Sequence, residues 1–344
     1  MAYHFRNLVF EGGGVKGIAY VGVMEVLEQK GILPKIKRVG GTSAGAINAV
    51  LTALRYTNDE VEDVLSNLNF NNFMDDSWGF IRDAERIVDE FGLYKGDYFR
   101  EWIGDRIAEK TGNRHSTFGE LRNDPRFLDL YVCGTNLSTH FSEVFSPEHT
   151  PRMRIADAVR ISMSIPLFFA AVRHQPRGDV YVDGGVLRNY PIKLFDRAKY
   201  LKGEPAGMAR DTKYYKEATG SVQARHASSS AYVYNRQTLG FRLDSSTEIS
   251  MFRDGAEPPH NKIENFLDYA VHLVKTMMDA EISRHLHSDD WQRTIYVDTL
   301  GVGTTDFDLT DERKQALVAS GRKGATDYFK WFDDPRKKPV NRPA

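Results

Sequence analysis

Short apolar runs alternate with longer amphipathic stretches in the N-terminal part of the chain. Residues 8–11 are apolar up to Phe10 and are followed by glycines, and in residues 15–31 the apolar side chains recur with the spacing of one helix face. A second apolar run, 36–41, leads into the small-residue segment 44–55. Strands and helices in this order, joined by short loops, predict a parallel sheet with right-handed crossover connections.

The same alternation continues along the chain, so we predict an α/β fold with a mainly parallel central sheet flanked by helices. Further helices are predicted over residues 58–68, 96–111, 154–165, 264–286 and 310–332, and further strands over 127–137, 141–146, 179–183, 238–246 and 293–299. We expect Pro166 to end the helix that begins at residue 154, because proline cannot continue a helix.

No internal repeat or linker divides the chain, so we predict a single domain over 1–344 with its core at about 5–332. Between about 202 and 260 the composition shifts toward Ser, Tyr, Arg and Gly and the periodicity weakens. This favours a variable, lid-like excursion around one strand. The polar, proline-rich segment 333–344 is expected to be frayed.

Composition narrows the functional classes. The 344 residues are 41% hydrophobic and 27% charged, as in soluble globular proteins, and the net charge of −1 gives no reason to expect a nucleic-acid partner. The single cysteine, Cys133, excludes an internal disulfide and fits a reducing compartment. The N-terminus lacks the pattern of a signal peptide, and no apolar run of about 18 residues is present. We therefore expect a cytoplasmic protein that would meet a lipid substrate peripherally.

A serine lies between two glycines where the second predicted strand turns into a helix. The sequence GTSAG places Ser43 at the apex of this turn, and Gly41 and Gly45 remove side chains that would otherwise collide. The serine could simply cap the following helix. The strand–turn–helix context also matches a nucleophile elbow, which presents a serine hydroxyl above the sheet.

The first predicted strand ends in the loop EGGGVKG, which has two interpretations. Gly12, Gly14 and Gly17 match the G-x-G-x-x-G pattern of dinucleotide-binding sites. Such a site wants a carboxylate at the end of the second strand, and Ser43 occupies this place instead. Clustered glycine N–H groups at the start of a helix also stabilise an oxyanion. Lys16 could hold an anionic headgroup nearby or be an ordinary solvated side chain.

A serine nucleophile needs a base. None of the ten histidines lies in a persuasive strand-end setting, and His285 and His287 are interpreted as surface imidazoles rather than metal ligands. Asp183 does end an apolar strand, and Gly184 and Gly185 after it let another part of the chain come close. A turn aspartate bonded to its own backbone is the simpler alternative. Three glycine-flanked strand ends in one chain favour a catalytic centre built from them.

Together these motifs resemble the patatin-like phospholipases, acyl hydrolases with a Ser-Asp dyad and a three-layer α/β/α architecture. The loop Gly12-Gly13-Gly14-Val15-Lys16-Gly17 is similar to the family's oxyanion loop, Gly41-Thr42-Ser43-Ala44-Gly45 to its elbow, and Asp183-Gly184-Gly185 to its D-G-[GA] element. The similarity extends over about residues 5–332 and includes the segment RISMSIPLFF. The polar stretch at about 203–235 has no clear counterpart in the family.

The resemblance implies that Ser43 attacks an ester carbonyl, that Asp183 accepts its proton without a histidine, and that N–H groups of Gly12–Gly14 hold the oxyanion. We expect burial to raise the pKa of Asp183. No cofactor and no metal ion are implied. The substrate would be a membrane phospholipid or another acyl lipid, with peripheral membrane contact through apolar side chains in 71–81 and 202–260.

Two questions are left open by the sequence. An acyltransferase or thioesterase that passes the acyl group from Ser43 to another acceptor is the alternative activity on the same fold. A small-molecule or protein activator is compatible with the sequence, and nothing in the sequence identifies one.

Overall fold

The computed structural model describes residues 3–73, 91–223, 229–245 and 289–343, together with isolated positions between 260 and 277. Most of the predicted helix 264–286 lies outside the described residues, as do His285, His287 and most of the apolar segment 71–81.

Twelve strands and nine α-helices are present in the described part of the chain. The strands are β1 (Asn7–Phe10), β2 (Arg38–Thr42), β3 (Gly92–Tyr94), β4 (Asp129–Asn136), β5 (Phe141–Phe145), β6 (Leu167–Phe169), β7 (Val172–His174), β8 (Asp179–Asp183), β9 (Ala209–Arg210), β10 (Tyr234–Asn235), β11 (Thr238–Asp244) and β12 (Thr294–Asp298). The α-helices are α1 (Tyr20–Gln29), α2 (Ala44–Ala53), α3 (Asn58–Ser66), α4 (Asp97–Thr111), α5 (Phe118–Asn123), α6 (Ile155–Ser162), α7 (Gly185–Arg188), α8 (Lys213–Gln223) and α9 (Asp311–Asp333).

Local sequence explains where several helices begin and end. Helices α3 and α5 each start with a capping box, in which Thr57 or Thr117 accepts a bond from the backbone of a glutamate three residues on. Helix α4 ends at Gly112, whose φ of 79° is readily adopted only by glycine. A 3₁₀ segment, Gly14–Ala19, leads into α1.

The central sheet has the order β12-β11-β1-β2-β4-β8-β7, and β5 also pairs with β4. Strands β12, β11, β1, β2 and β4 are parallel to one another, whereas β5, β8 and β7 add antiparallel pairs at one side. The sheet is therefore mainly parallel, as the sequence predicts.

Strands β2 and β8 meet end to end along one edge of β4. The N-terminal half of β4 pairs with β2, so that Thr42 lies opposite Cys133. The C-terminal half of β4 pairs with β8, which is antiparallel to it, so that Asp183 lies opposite Gly134. Strand β5 overlaps both pairings on β4 and must therefore lie on the opposite edge. Two strands that approach from opposite directions thus bring their last residues together.

The two faces of the sheet are covered differently. Helices α1, α2 and α9 pack on one face over a large core that includes Leu8 and Phe10. Side chains of the opposite face, such as Val9 and Tyr131, pack under the segment 190–200. Alternate residues of β1 point to opposite faces, and both faces are buried.

Two sequence expectations differ from the structure. Helix α6 ends at Ser162, and the residues after Pro166 form β6, which pairs in parallel with β3. The residue before a proline is disfavoured in helical conformation, so the helix ends before the proline is reached.

The C-terminal segment also differs, because residues 339–343 pack against the body instead of fraying, whereas residues 335–338 are exposed. Asn341 is fully buried, its carbonyl lies 2.6 Å from His4 Nε2, and its side-chain amide donates to the Tyr328 hydroxyl. The backbone N–H of Val340 donates to the Gln292 side chain. These hydrogen bonds to distant residues explain why a polar composition does not leave the segment in solvent.

Candidate active site

Ser43 occupies the sharp turn between β2 and α2. Its backbone has φ 53° and ψ −127°, a left-handed conformation that costs a non-glycine residue on the order of 1–3 kcal/mol. The turn brings chain segments into close contact. A Cβ atom on Gly41 would lie 2.3 Å from the Gly45 carbonyl oxygen, and one on Gly45 would lie 2.5 Å from carbonyl oxygens at the end of β1. Only glycine fits at both positions.

The strained turn is held by a serine that sequence reasoning missed. The Ser43 N–H donates to Ser162 Oγ at 2.9 Å, and the Ser162 hydroxyl donates to the Cys133 carbonyl at 2.6 Å. Ser162 is fully buried at the end of α6. The segment RISMSIPLFF was notable as a family-like stretch, but its spacing gave no sign that this hydroxyl contacts the elbow.

Asp183 is brought to the same place by β8. It is fully buried, and its Oδ1 accepts the Gly185 N–H at 2.7 Å. Burial raises the pKa of this carboxyl to about 7, and hydrogen bonding by Gly185 and by the Ser43 hydroxyl opposes the rise. The direction agrees with the sequence-based expectation. Gly184 must be glycine here, because a Cβ atom would lie 2.4 Å from the Cys133 carbonyl oxygen.

The Ser43 hydroxyl and the Asp183 carboxyl are neighbours that are not fully engaged with each other. Ser43 Oγ interacts with the Asp183 carboxyl and also lies 3.6 Å from Met163 Sδ. Asp183 Oδ2 is buried without a hydrogen bond of ordinary length in the described structure. One carboxylate oxygen is thus fixed by the backbone, and the other remains available for a proton.

The glycine loop lies against the elbow, and its three N–H groups are not equivalent. A Cβ atom on Gly12 would lie 3.1 Å from Ser43 Cβ. The Gly12 N–H, however, donates to the Asn189 carbonyl at 3.1 Å, while the Asn189 side-chain amide donates to the Gly12 carbonyl. The N–H groups of Gly13 and Gly14 have no acceptor among the described residues. The loop therefore offers two N–H groups, rather than the three expected from the sequence.

Close packing at Gly14 and Gly17 holds the glycine loop against the elbow. Gly14 has φ 57°, and a Cβ atom there would lie 1.9 Å from the Thr304 carbonyl oxygen, which accepts the Val15 N–H. Gly17 lies where a Cβ atom would be 3.1 Å from Ala44 Cβ, so the loop packs closely on α2. Lys16 is half-buried beside the loop.

A buried carboxylate precedes the loop and was also missed by sequence reasoning. Glu11 Oε2 accepts the Leu243 N–H at 2.7 Å, and its carbonyl accepts the Tyr20 hydroxyl at 2.8 Å. Burial raises the pKa of Glu11, and the guanidinium of Arg242 opposes this rise. The side chain joins the ends of β1 and β11 and so fixes the point from which the glycine loop departs.

The residues that the structure describes contain neither a metal site nor a membrane-spanning helix. Within them, no group of three or more histidine, cysteine or carboxylate side chains is arranged to hold a metal ion. Every helix in this part of the chain is too short or too polar to span a bilayer.

Comparison with known proteins decides the family. The sequence profile described as Patatin-like phospholipase matches residues 8–196, more than half of the chain. The chain belongs to this family. The resemblance carried by the three motifs and the predicted fold class are thereby confirmed, and the patatin-like phospholipase family indicates a lipid hydrolase.

Individual relatives of this member of the patatin-like phospholipase family match most of the chain or about half of it. The uncharacterized protein YqhO of Bacillus subtilis (strain 168) is 31% identical over 335 residues, which are 94% of this chain and 97% of the relative. A probable lipid hydrolase, 463L of Invertebrate iridescent virus 6, is 26% identical over 56% of this chain and 63% of its own length. The crystal structure of VipD from Legionella pneumophila superposes with a TM-score of 0.59 at 18% identity, over 96% of this chain and 67% of that one, and shows the fold alone.

Proposed function

We infer that this chain is a serine acyl hydrolase that cleaves fatty-acyl esters of membrane lipids, with Ser43 as nucleophile and Asp183 as base. The observation that carries the proposal is the meeting of β2 and β8, which puts a strained serine beside a fully buried carboxyl. Active sites are the places where burial moves the pKa of a carboxyl toward neutral pH. A pKa of about 7 makes Asp183 a far better base than an exposed aspartate.

In the proposed reaction, Ser43 Oγ attacks the ester carbonyl carbon while its proton passes to Asp183 Oδ2. The carbonyl oxygen gains negative charge, and the N–H groups of Gly13 and Gly14 stabilise it. The C–O bond to the alcohol breaks, and the leaving alkoxide takes the proton from Asp183. Water then attacks the acyl-serine, again giving its proton to Asp183, and the fatty acid leaves as Ser43 regains a proton.

Phospholipid is the substrate class that we propose, with cleavage of the phospholipase A type. The family and the probable lipid hydrolase among the relatives support this choice. A protein that acts on such a substrate must contact the bilayer from one side, so peripheral membrane association and a cytoplasmic location belong to the same proposal.

The first experiment compares the wild type with Ser43→Ala and Asp183→Asn on phosphatidylcholine vesicles, a soluble short-chain ester and a thioester. We expect both variants to lose fatty-acid release by about 10³-fold or more. Asp157→Asn, at a partly exposed carboxylate paired with Arg100, serves as the matched control and should retain activity. Wild-type turnover should rise as the pH passes through about 7, because Asp183 must be deprotonated.

Other outcomes would contradict parts of the proposal. Full activity of Asp183→Asn would exclude this carboxyl as the base. Consumption of the ester with the acyl group recovered on an added alcohol or thiol, and no free fatty acid, would mean acyl transfer instead of hydrolysis.

A further inference from the structure

A second cleft lies on the other side of the sheet from the large helical core. It has a volume of about 1130 Å³ and lies between β4, the segment 188–200 and the small unit of β9, α8 and β10. Neither Ser43 nor Asp183 lines it. The cleft therefore has no part in the proposed hydrolysis.

Two arginines line the cleft without a carboxylate partner among the described residues. Among the described residues Arg188 forms no ion pair, and the Arg197 guanidinium donates to the Ser230 carbonyl at 2.8 Å. The nearby carboxylates have other partners. Asp289 pairs with Arg210, and Asp290 pairs with the buried Arg293 at 2.5 Å and with Lys193 at 3.5 Å. Two guanidinium groups that are not neutralised face one cavity, which favours an anionic occupant.

Aromatic rings accompany these charges. Seven tyrosines line the cleft, and the Arg197 guanidinium stacks 3.6 Å from the centre of the Tyr232 ring. The Lys193 ammonium lies 4.5 Å from the centre of the Tyr214 ring, which is 57% exposed. A guanidinium already stacked on a ring is oriented for bidentate binding to an oxyanion, and the remaining ring surface suits an organic group.

The same segment of chain touches the candidate active site. The Arg188 carbonyl accepts the Thr42 hydroxyl at 2.9 Å, one residue before the proposed nucleophile. The Asn189 carbonyl accepts the Gly12 N–H of the glycine loop. A ligand that displaced Arg188 would therefore change the positions of both the Ser43 turn and the glycine loop.

We propose that this cleft binds a phosphate-bearing organic ligand through Arg188 and Arg197, and that the bound ligand acts on the candidate active site through residues 188 and 189. The phosphate is held by the two guanidinium groups, and the organic part lies on the tyrosine rings. A soluble nucleotide and a phospholipid headgroup share this chemistry. The proposal goes beyond the proposed hydrolysis, since it assigns a separate binding site.

Binding is measured on Ser43→Ala protein, so that turnover cannot consume a lipid probe and the result does not depend on the proposed reaction. The probes are ATP, inorganic phosphate, and phosphatidylcholine vesicles with and without phosphatidic acid. We expect saturable binding of ATP or of the phosphatidic acid vesicles, weakened about tenfold or more by Arg188→Gln and by Arg197→Gln. Arg152→Gln, at an exposed arginine that does not line the cleft, is the matched control.

The two sources of the phosphate are separated by the probes. Binding of ATP alone identifies a soluble ligand, and binding of phosphatidic acid vesicles alone identifies a lipid headgroup. Arg188→Lys and Arg197→Lys should fold and keep part of the affinity, which separates charge recognition from a folding defect. Absence of saturable binding to ATP and to both vesicles, or affinity unchanged in both glutamine variants, would overturn the proposal.

The connection to the active site is read from amide hydrogen exchange of Gly12, whose N–H donates to Asn189. We expect the saturating probe to change this exchange rate by about threefold or more in the Ser43→Ala protein and not in its Arg188→Gln derivative. An unchanged Gly12 rate under saturation would refute the connection, whether or not the protein hydrolyses lipids.

Discussion

Replacing Asp183 with asparagine should abolish turnover and at the same time favour the folded state at alkaline pH. The carboxyl is fully buried, and burial raises its pKa from the ordinary 3.8 to about 7. An acid with a raised pKa contributes stability that is fully present below its unfolded pKa and is lost as the pH rises through the folded value. The wild type is thus destabilised above about pH 7, where it must hold a buried negative charge.

The size of the effect follows from the pKa difference. A difference of about 3 between folded and unfolded states corresponds to about 4 kcal/mol at high pH. Between about pH 5 and pH 9 the wild type should lose about 3 kcal/mol of unfolding free energy through this one group. Asparagine cannot ionise, and its carbonyl can still accept the Gly185 N–H. Its unpaired amide costs about 1–3 kcal/mol, but this cost is independent of pH.

The assay is urea unfolding of the wild type and of Asp183→Asn at about pH 5 and about pH 9. At each pH the unfolding free energies of the two proteins are subtracted, and the two differences are compared. We expect it to move by about 3 kcal/mol in favour of Asp183→Asn at the higher pH. Asp334→Asn provides a control without pH dependence in this range, because Arg336 lowers the pKa of that exposed carboxyl, which is then ionised in the folded and the unfolded protein at both pH values. A stability difference that is the same at both pH values would refute the claim that burial of this carboxyl opposes its ionisation.

Three further predictions test the surroundings of the site. Ser162→Ala leaves the buried Ser43 N–H without its acceptor, at a cost of about 1–3 kcal/mol. We therefore expect kcat to fall about tenfold or more in Ser162→Ala, and Ser162→Thr to retain part of the wild-type kcat. Equal kcat for Ser162→Ala and the wild type would contradict this prediction. Gly14→Ala would put a Cβ atom 1.9 Å from the Thr304 carbonyl oxygen and displace the Gly14 N–H, which we assign to the oxyanion. We therefore expect kcat to fall about 10²-fold or more. Normal turnover would exclude that assignment. Deletion of residues 334–344 should lower the melting temperature by about 4 °C or more, because buried hydrogen bonds to the body are lost. An unchanged melting temperature would show that the segment does not contribute to stability.

Much of the fold was predictable because its signals are local. The helix-face spacing in residues 15–31 and the glycine-flanked elbow around Ser43 are properties of a few consecutive residues, and the structure has a helix and a sharp turn there. The glycine loop was predictable for the same reason, since its need for small residues comes from the packing of a strand end on a helix. The end of α6 was predicted a few residues too late, because an apolar run does not reveal where a chain leaves a helix for a strand.

The direction of β8 could not be predicted from the sequence. A strand that ends in Asp183 looks the same whether it runs parallel or antiparallel to its neighbour, since the alternation of side chains is identical. The sequence predicted that Asp183 lies at the C-terminal end of its strand, where α/β sheets form their active sites. In the structure it reaches the serine from the opposite direction, along the edge of β4 that β2 leaves unpaired.

The sequence by itself determined which residues could do the chemistry: a serine at a glycine-flanked turn, an aspartate before two glycines, and a loop of backbone N–H groups. Only the tertiary structure decided that the Gly12 N–H is already bonded to Asn189, that Ser162 holds the elbow, and that Asp183 is buried enough to change its pKa. The physical reason is separation along the chain. Ser43 and Ser162 are 119 residues apart, and neither a hydrogen bond between them nor a desolvated carboxyl leaves a periodic trace in the sequence.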